Sequence, residues 1–180
     1  MIYILSPAYL TYPIIVPSLL CQTSPRWRLE ICHDGQDDNF IRWIIKDERV
    51  VASSTEKRLG YWGHPIRNML LEQLDCDPED YVIITNHDNY FMPNTIDSLE
   101  IYNEDFVCWP IFHNYYNNLI LSPKIEFGHI DISQIAVKAR IAKSVGWHWI
   151  IEASDFLYIQ ECWIKSKTYK ILTTTLGVHN

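Results

Sequence analysis

The sequence DYVIITNHDNYFMP, residues 80–93, decides how the rest of the chain is interpreted. Tyr81 to Ile84 is a short apolar run without polar alternation, which predicts a central strand covered on both faces. The composition then inverts to the polar run NHDN, and a helix follows with Asn94 or Thr95 as its N-cap. Ligands of open α/β sheets bind at the carboxyl ends of strands, so this polar tip is well placed to hold a metal and a phosphate. A simple polar turn, in which Asn and Asp satisfy local hydrogen bonds, is the alternative.

Strand and helix patterns alternate on both sides of this stretch. Apolar β-rich runs lie at 2–5, 27–32, 50–53, 106–112, 130–137 and 169–176, and helical patterns at 13–20, 39–46, 66–74, 95–102, 139–145 and 154–165. This alternation predicts a three-layer α/β/α fold with a mostly parallel central sheet. The sequence contains neither a Gly-x-Gly-x-x-Gly nor a Walker pattern, which argues against a Rossmann dehydrogenase and a P-loop enzyme.

Size and composition set further limits. With 180 residues, 48% of them hydrophobic, the chain is expected to form one domain spanning 1–180. A net charge of −7 argues against nucleic acid as a partner, although a local basic pocket for a diphosphate is compatible with it. The five cysteines include no Cys-x-x-Cys pair, and most of them are interpreted as small buried hydrophobes in a reducing, cytoplasmic compartment.

The sequence shows no pattern for membrane insertion. The first 25 residues contain no Lys or Arg and are interrupted by Pro7, Pro13 and Pro17, so no signal peptide is expected. No later stretch approaches the ~20 apolar residues of a transmembrane helix. We therefore expect a soluble protein.

Short motifs follow one another in a recognisable order: SLLCQT at 18–23, WRLEICHDG at 27–35, RN at 67–68, NHD at 86–88, VGW at 145–147, SD at 154–155 and VHN at 178–180. In this order they resemble the motifs of family 2 glycosyltransferases of the GT-A fold. Residues 86–88 stand where that family has its DXD motif, and 154–155 where it has its Glu-Asp motif. The resemblance covers nearly the whole chain and implies a nucleotide-diphosphate sugar bound over the carboxyl edge of the sheet.

The resemblance implies a base and ribose site formed by Ala8, Tyr9 and Asp34. A carboxylate agrees with this role, because it accepts hydrogen bonds from a uracil imide or from ribose hydroxyls. The alternative for Asp34 is local turn formation. Asp34 and Asp88 are expected to end adjacent strands on the same edge.

Arg67, Asn86 and His87 are also assigned to the nucleotide site, Arg67 as a candidate partner of a phosphate, while the Asn86 carbonyl can alternatively ligate a metal directly or through water. For Arg67 the alternative is that it only braces its helix, since surface arginines are usually solvated or weakly paired.

A divalent cation, Mn²⁺ or Mg²⁺, is implied by the resemblance, with Asp88 and His179 as its ligands. Asp88 stands for the last acid of the DXD motif, while Asn86 replaces the first and removes one negative charge from the site. His179 would add an imidazole, which together with a carboxylate suits Mn²⁺. The alternative for His179 is a frayed chain end.

Asp155 is the candidate general base. Inverting transfer needs one carboxylate to take the proton of the acceptor hydroxyl as the diphosphate leaves. The alternative for Asp155 is an acid favoured in the first turn of a helix. Glu152 is a rival base.

The function predicted from these motifs is inverting, metal-assisted transfer of a sugar from a nucleotide-diphosphate donor, UDP-sugar first, to a hydroxyl acceptor. A catalytically inactive GT-A-like domain that binds nucleotide or glycan is one alternative, and a nucleotidyltransferase is a weaker one. The acceptor is bound either by a surface around Tyr115, Tyr116 and Trp147 or with the help of a partner chain, as in a homo-oligomer. For Trp62, Trp147 and Trp149, stacking on a sugar ring competes with core packing, which is expected for at least one of them.

Overall fold

The computed structural model describes residues 1–10, 12–44, 46–114 and 119–180. Its strands are β1 (Ile2–Ala8), β2 (Trp27–His33), β3 (Val50–Ser54), β4 (Tyr81–Ile84), β5 (Tyr90–Phe91), β6 (Phe106–Cys108), β7 (Ile111–His113), β8 (Leu119–Leu121), β9 (Ile135–Lys138), β10 (Tyr169–Ile171) and β11 (Gly177–His179). Its α-helices are α1 (Ile15–Leu20), α2 (Asp38–Trp43), α3 (His64–Gln73), α4 (Thr95–Glu100), α5 (Ala139–Val145) and α6 (Ser154–Lys165). Within the described ranges, none of the helices has the length and apolar composition needed to cross a membrane.

A seven-stranded sheet carries the fold. Its strand order is β10-β6-β9-β4-β1-β2-β3, and only β9 runs antiparallel to its neighbours. Strand β4 lies in the middle and all four of its residues are buried, so the prediction of a central strand is confirmed. Strand β1 separates β4 from β2, so the expectation that Asp34 and Asp88 end adjacent strands is wrong.

Each face of this sheet is covered by its own apolar core. Along β4, Val82 and Ile84 belong to the core formed with α3, α5 and α6, whereas Tyr81 and Ile83 belong to the core formed with α1 and α4. Successive side chains of a strand point to opposite faces, which explains the continuous apolar run. The predicted three-layer α/β/α architecture with a mostly parallel central sheet is therefore confirmed.

The predicted strand at 106–112 is wrong in one respect, because it is two strands in two different sheets. The break falls at Pro110, which has no backbone N–H to donate to a ladder. Strand β6 stays in the large sheet, while β7 enters a four-stranded sheet of order β5-β11-β7-β8. In this small sheet β11 is paired on both sides, so the alternative of a frayed chain end for His179 is excluded.

The predicted strand at 130–137 begins later than expected. Asp131 caps a short 3-10 turn at Ile132–Gln134, with its Oδ1 accepting from the backbone N–H of Ser133 at 2.8 Å. The side chain of Gln134 in turn accepts from the backbone N–H of Asp131 at 2.7 Å. This reciprocal capping box holds residues 132–134 in a turn, so strand β9 begins only at Ile135 and has four residues.

Several helix ends also differ from the predicted ones. Helix α2 ends at Trp43 rather than at 46, and residue 45 lies outside the described residues. Helix α4 begins at Thr95 as predicted, but within the described part of the chain the Asn94 side chain makes no cap hydrogen bond.

Candidate functional site

The carboxyl edge of the large sheet contains a cavity of about 320 Å³, which we call the Asp155 cavity. It lies where the ends of β1 and β4 meet the first turns of α3 and α6. It is lined by Tyr9, Trp62, His64, Arg67, Asn86, His87, Asp88, Glu152 and Asp155. The structure thus brings together most of the site residues that the sequence suggested, including both candidate bases.

Arg67 lines this cavity although it is only 2% exposed. Its Nη2 donates to the side-chain oxygen of Asn86 at 2.5 Å, and its Nη1 donates to the backbone carbonyl of Trp62 at 3.0 Å. Its guanidinium carbon lies 5.0 Å from the ring centre of Trp147. Arg67 is therefore not a solvated helix brace, but a buried cation that joins the tip after β4 to α3.

The same guanidinium faces the candidate base. Arg67 Nη1 lies 4.0 Å from Oδ1 of Asp155 in the first turn of α6. Burial raises the pKa of Asp155, and the positive charge of Arg67 opposes that shift. Asp131 adds to the rise and His179 opposes it. The Asp155 carboxyl, with 31% of its side chain exposed, is therefore partly desolvated by its surroundings, and it remains beside a fixed cation that favours its ionised form.

The polar tip after β4 is more buried than a surface turn. His87 is 3% exposed and its ring meets the Tyr9 ring edge-on at 5.2 Å. Desolvation lowers the pKa of His87, against the opposing effect of Asp88, so the ring is neutral near pH 7. Among the described residues, Oδ1 of Asp88 is buried without a hydrogen-bond partner. An unpartnered buried carboxylate oxygen is uncommon, and a cation bound at the tip would explain it.

The chain end lies beside this tip. Asn180 donates from its side chain to the backbone carbonyl of Asp88 at 2.8 Å and from its backbone to the side chain of Asn89 at 3.3 Å. The preceding His179 has its Nε2 3.4 Å from Asp131, and its ring stacks on His113 at 4.3 Å.

The two predicted metal ligands, Asp88 and His179, are thus held in neighbouring strands and turns. Across 1–10, 12–44, 46–114 and 119–180, no group of three or more His, Cys, Asp or Glu side chains is arranged to hold a metal ion. Protein side chains alone would therefore supply fewer ligands than Mn²⁺ or Mg²⁺ requires.

A second cavity of about 520 Å³, the Asp34 cavity, adjoins the first. It is lined by Tyr9, Asp34, Arg58, Gly60, Tyr61 and Trp62. Tyr9 and Trp62 border both cavities, so the two form one continuous surface along the sheet edge.

Asp34 is fully engaged by the protein. Its two carboxylate oxygens accept from the backbone N–H groups of Leu59 at 2.6 Å and Gly60 at 2.9 Å, and its side chain is completely buried. Ala8 is buried at the end of β1 and its carbonyl accepts from the backbone N–H of Asp34 at 2.8 Å. Asp34 thus makes the local loop contacts that were the alternative to a nucleotide role. It makes them at the border of the cavity where the nucleotide role was predicted.

Two residues of the site were missed from the sequence. His64 is buried in the first turn of α3, and desolvation together with the neighbouring Arg67 lowers its pKa to about 4. Its position between Gly63 and Pro65 at a helix start was the available signal. Asp131, beside His179, could have been noticed from its spacing to Gln134, which matches a capping box.

The tryptophans proposed to stack on a sugar ring differ in how deeply they are buried. Trp147 is 2% exposed and stacks on Tyr158, so the expected core packing is confirmed for it. Trp62 is 66% exposed at the border of both cavities. Tyr115 and Tyr116, predicted to bind the acceptor, lie outside the described residues.

Comparison with known proteins supports the fold at low sequence identity. No protein-family model and no curated protein sequence matches the chain. Among solved structures, S. aureus TarS 1–349 in complex with UDP is similar with a TM-score of 0.79 and 12% identity, over 99% of this chain and 60% of that one. The glycosyltransferase GlyE of Streptococcus pneumoniae TIGR4 is similar with a TM-score of 0.53 and 8% identity, over 94% of this chain and 44% of that one. A 4-diphosphocytidyl-2C-methyl-D-erythritol synthase is similar with a TM-score of 0.57 and 11% identity, over 96% and 89% of the two chains.

These similarities define the class of fold. The chain has the GT-A fold, and it spans less than two thirds of the length of the TarS chain. At these identities the likeness carries the architecture alone, so the activity has to be argued from the site.

Proposed function

We propose that the chain is a single GT-A domain of family 2 type that transfers a sugar from a UDP-sugar to a hydroxyl acceptor with inversion at the anomeric carbon. The observation that carries the proposal is the Asp155 cavity, where a buried cation, an unpartnered carboxylate oxygen and a desolvated carboxyl face one space. The adjoining Asp34 cavity supplies room for the nucleoside. The UDP bound by TarS supports a nucleotide donor of this kind.

In the proposed reaction Asp155 removes the proton from the acceptor hydroxyl. The acceptor oxygen then forms a bond to the anomeric carbon while the bond from that carbon to the diphosphate breaks, and the diphosphate leaves with the electron pair. Negative charge therefore grows on the leaving group. Arg67 is the buried cation that faces this space, and its Nη1 lies 4.0 Å from the Asp155 carboxyl. A fixed positive group in a poorly hydrated site stabilises such developing charge.

The donor set at the tip fits a divalent cation shared with the substrate. Asp88 offers its unpartnered Oδ1, and His179, at the chain end that lies beside the tip, offers an imidazole. The diphosphate oxygens would complete the coordination, since the protein supplies too few ligands alone. When bound, Mn²⁺ or Mg²⁺ offsets charge on the leaving diphosphate.

Binding without turnover is the second candidate, and one observation favours it. Asn86, which replaces the first acid of the DXD motif, already accepts from Arg67 at 2.5 Å. Its oxygen is therefore partly committed to the protein. An inactive relative would keep the nucleotide surface and lose the sugar transfer.

The metal site is tested by calorimetry of UDP binding with Mn²⁺ and with excess chelator. We expect Mn²⁺ to tighten binding at least 10-fold in the wild type and to have little effect in Asp88→Asn. Asp37→Asn is the matched control, because Asp37 caps α2 through its Oδ1 and asparagine is an equally good N-cap. Equal binding with chelator would remove the metal from the proposal.

Turnover is tested separately by release of UDP from a panel of UDP-sugars supplied with hydroxyl acceptors. Release that depends on the acceptor supports transfer. Tight UDP binding with no release from any donor would favour the binding domain, and absence of UDP binding would contradict both candidates.

A further inference from the structure

The loop from Gly60 to Gly63 presents two exposed aromatic side chains on an unusual backbone. All four residues have positive φ: 71° for Gly60, 51° for Tyr61, 52° for Trp62 and 78° for Gly63. Residues with a side chain rarely adopt this region, and strained backbone of this kind is concentrated at ligand-binding sites. The rest of the structure has to hold the loop in place.

The loop is clamped at both ends by residues of the two cavities. Asp34 accepts from the backbone N–H groups that lead into it, at 2.6 and 2.9 Å. Arg67 donates to the Trp62 carbonyl at 3.0 Å. Beyond it, a Cβ added to Gly63 would lie 2.6 Å from Cβ of Pro7, so the backbone there is packed directly against the end of β1. The positions of Tyr61 and Trp62 are thus fixed by the same residues that form the site.

The two aromatic side chains lie differently with respect to the cavities. Tyr61 is 58% exposed and borders the Asp34 cavity, whereas Trp62 is 66% exposed and borders both. The Trp62 ring lies 6.2 Å from the ring of His64, which lines the Asp155 cavity. A donor lying across both cavities with its nucleoside at Asp34 would place its sugar at the Asp155 end, next to Trp62.

We propose that the exposed indole of Trp62 packs against the transferred sugar and determines which UDP-sugar is accepted. This inference rests on the proposed function. A rigidly held aromatic face adds apolar contact at low conformational cost, and the C–H face of a pyranose ring is a suitable surface for it. Tyr61 by contrast contacts the nucleoside end.

The test is calorimetry of UDP, UDP-glucose and UDP-N-acetylglucosamine, with Mn²⁺, on the wild type, Trp62→Ala and Tyr61→Ala. We expect Trp62→Ala to weaken at least one UDP-sugar about 10-fold while UDP changes less than about 3-fold, the scale of one lost aromatic contact. Tyr61→Ala is the matched control from the same loop with similar exposure, and it should weaken UDP and the UDP-sugars by the same factor. Trp62→Phe should keep most of the discrimination.

The outcomes separate this inference from the proposed function. Equal weakening of UDP and UDP-sugars by Trp62→Ala, or no weakening, overturns the role of Trp62 while leaving nucleotide binding intact. A wild type that binds UDP but no UDP-sugar overturns it as well, and one that binds none of these ligands overturns both proposals. If Trp62→Ala does not fold, Trp62→Asn serves instead, because asparagine tolerates positive φ.

Discussion

The two cavities share Tyr9 and Trp62 but differ in how their polar walls are satisfied. In the Asp34 cavity the carboxylate accepts two backbone N–H groups and holds the loop that follows β3. In the Asp155 cavity Oδ1 of Asp88 and Nε of Arg67 are buried without hydrogen-bond partners among the described residues. Most buried polar groups are hydrogen-bonded in native structures, so an exception needs an explanation.

The difference separates scaffold from reactive surface. A wall whose polar groups are satisfied by the protein keeps its shape with or without ligand. A wall with unpartnered polar atoms carries an energetic cost that a ligand can remove. On this basis we propose that the Asp155 cavity carries the chemistry and that the Asp34 cavity provides the shape, so substitutions in the two should fail differently.

The largest expected effect is on catalysis at Asp155. Asp155→Asn should lower the sugar-transfer rate by about 10²-fold or more, because it removes the proton acceptor, and should leave UDP affinity nearly unchanged. Steady-state kinetics and calorimetry measure the two quantities. Glu152→Gln is the matched control from the same cavity. If Glu152→Gln abolishes transfer and Asp155→Asn does not, Glu152 is the base.

The loop that borders the two cavities begins and ends with a glycine of positive φ, Gly60 and Gly63. We expect the stability of the protein to be more sensitive to a side chain at Gly63 than at Gly60. Gly63→Ala combines a φ of +78° with a Cβ placed 2.6 Å from Pro7, so we expect a loss of about 3 kcal/mol or more in the free energy of unfolding. Gly60→Ala has a φ of +71°, but its Cβ would meet no atom of the described residues within 4 Å, so its loss should be about 1–2 kcal/mol. Urea denaturation gives both values. Equal losses would mean that the contact of Gly63 with Pro7 at the end of β1 is unimportant.

The contrast between the two carboxylates predicts opposite effects on stability. Without metal or nucleotide, Asp34→Ala should lower the free energy of unfolding by about 2 kcal/mol, because two N–H groups lose their acceptor. Asp88→Ala removes an unpartnered buried oxygen and should be neutral or stabilising. Urea denaturation in excess chelator measures both. If Asp88→Ala lowered the free energy of unfolding more than Asp34→Ala, the proposal that Asp34 is structural and Asp88 is part of the reactive wall would be contradicted.

The smallest predicted effect is a dependence of stability on pH from His64. Its pKa is lowered to about 4 in the folded protein, against about 6.5 in the unfolded chain, so the unfolded state binds more protons below pH 6.5. Stability should therefore fall as the pH drops from 7 to 5, by roughly 1–2 kcal/mol from this residue. His64→Gln should remove that part of the dependence in urea denaturation at the two pH values. An unchanged slope would mean that His64 titrates with the same pKa in the folded and unfolded states.

The sequence was most informative where local pattern and tertiary placement agree. Tyr81 to Ile84 has an apolar residue at every position, which fits a strand buried on both faces, and β4 is indeed central. The motif order from Ser18 to Asn180 led to the GT-A architecture that the structure shares with solved GT-A proteins. The pairing of strands from distant segments was harder to predict from the sequence. The break at Pro110 and the capping box at Asp131 both had local signals, but the destination of β7 in a second sheet had none.

By itself the sequence determined the fold class, the polar tip after β4 and the candidate base at the start of α6, because periodicity and short motifs act within a few residues. Only the tertiary structure decided that Arg67 is buried against Asn86 and faces Asp155, that Asp34 holds the loop at Leu59 and Gly60, and that the chain end lies beside Asp88. Each of these contacts joins segments separated by about 20 to 90 residues. The composition of one segment does not specify which distant group will desolvate it or accept its hydrogen bonds, and these contacts set the charge and accessibility of the site.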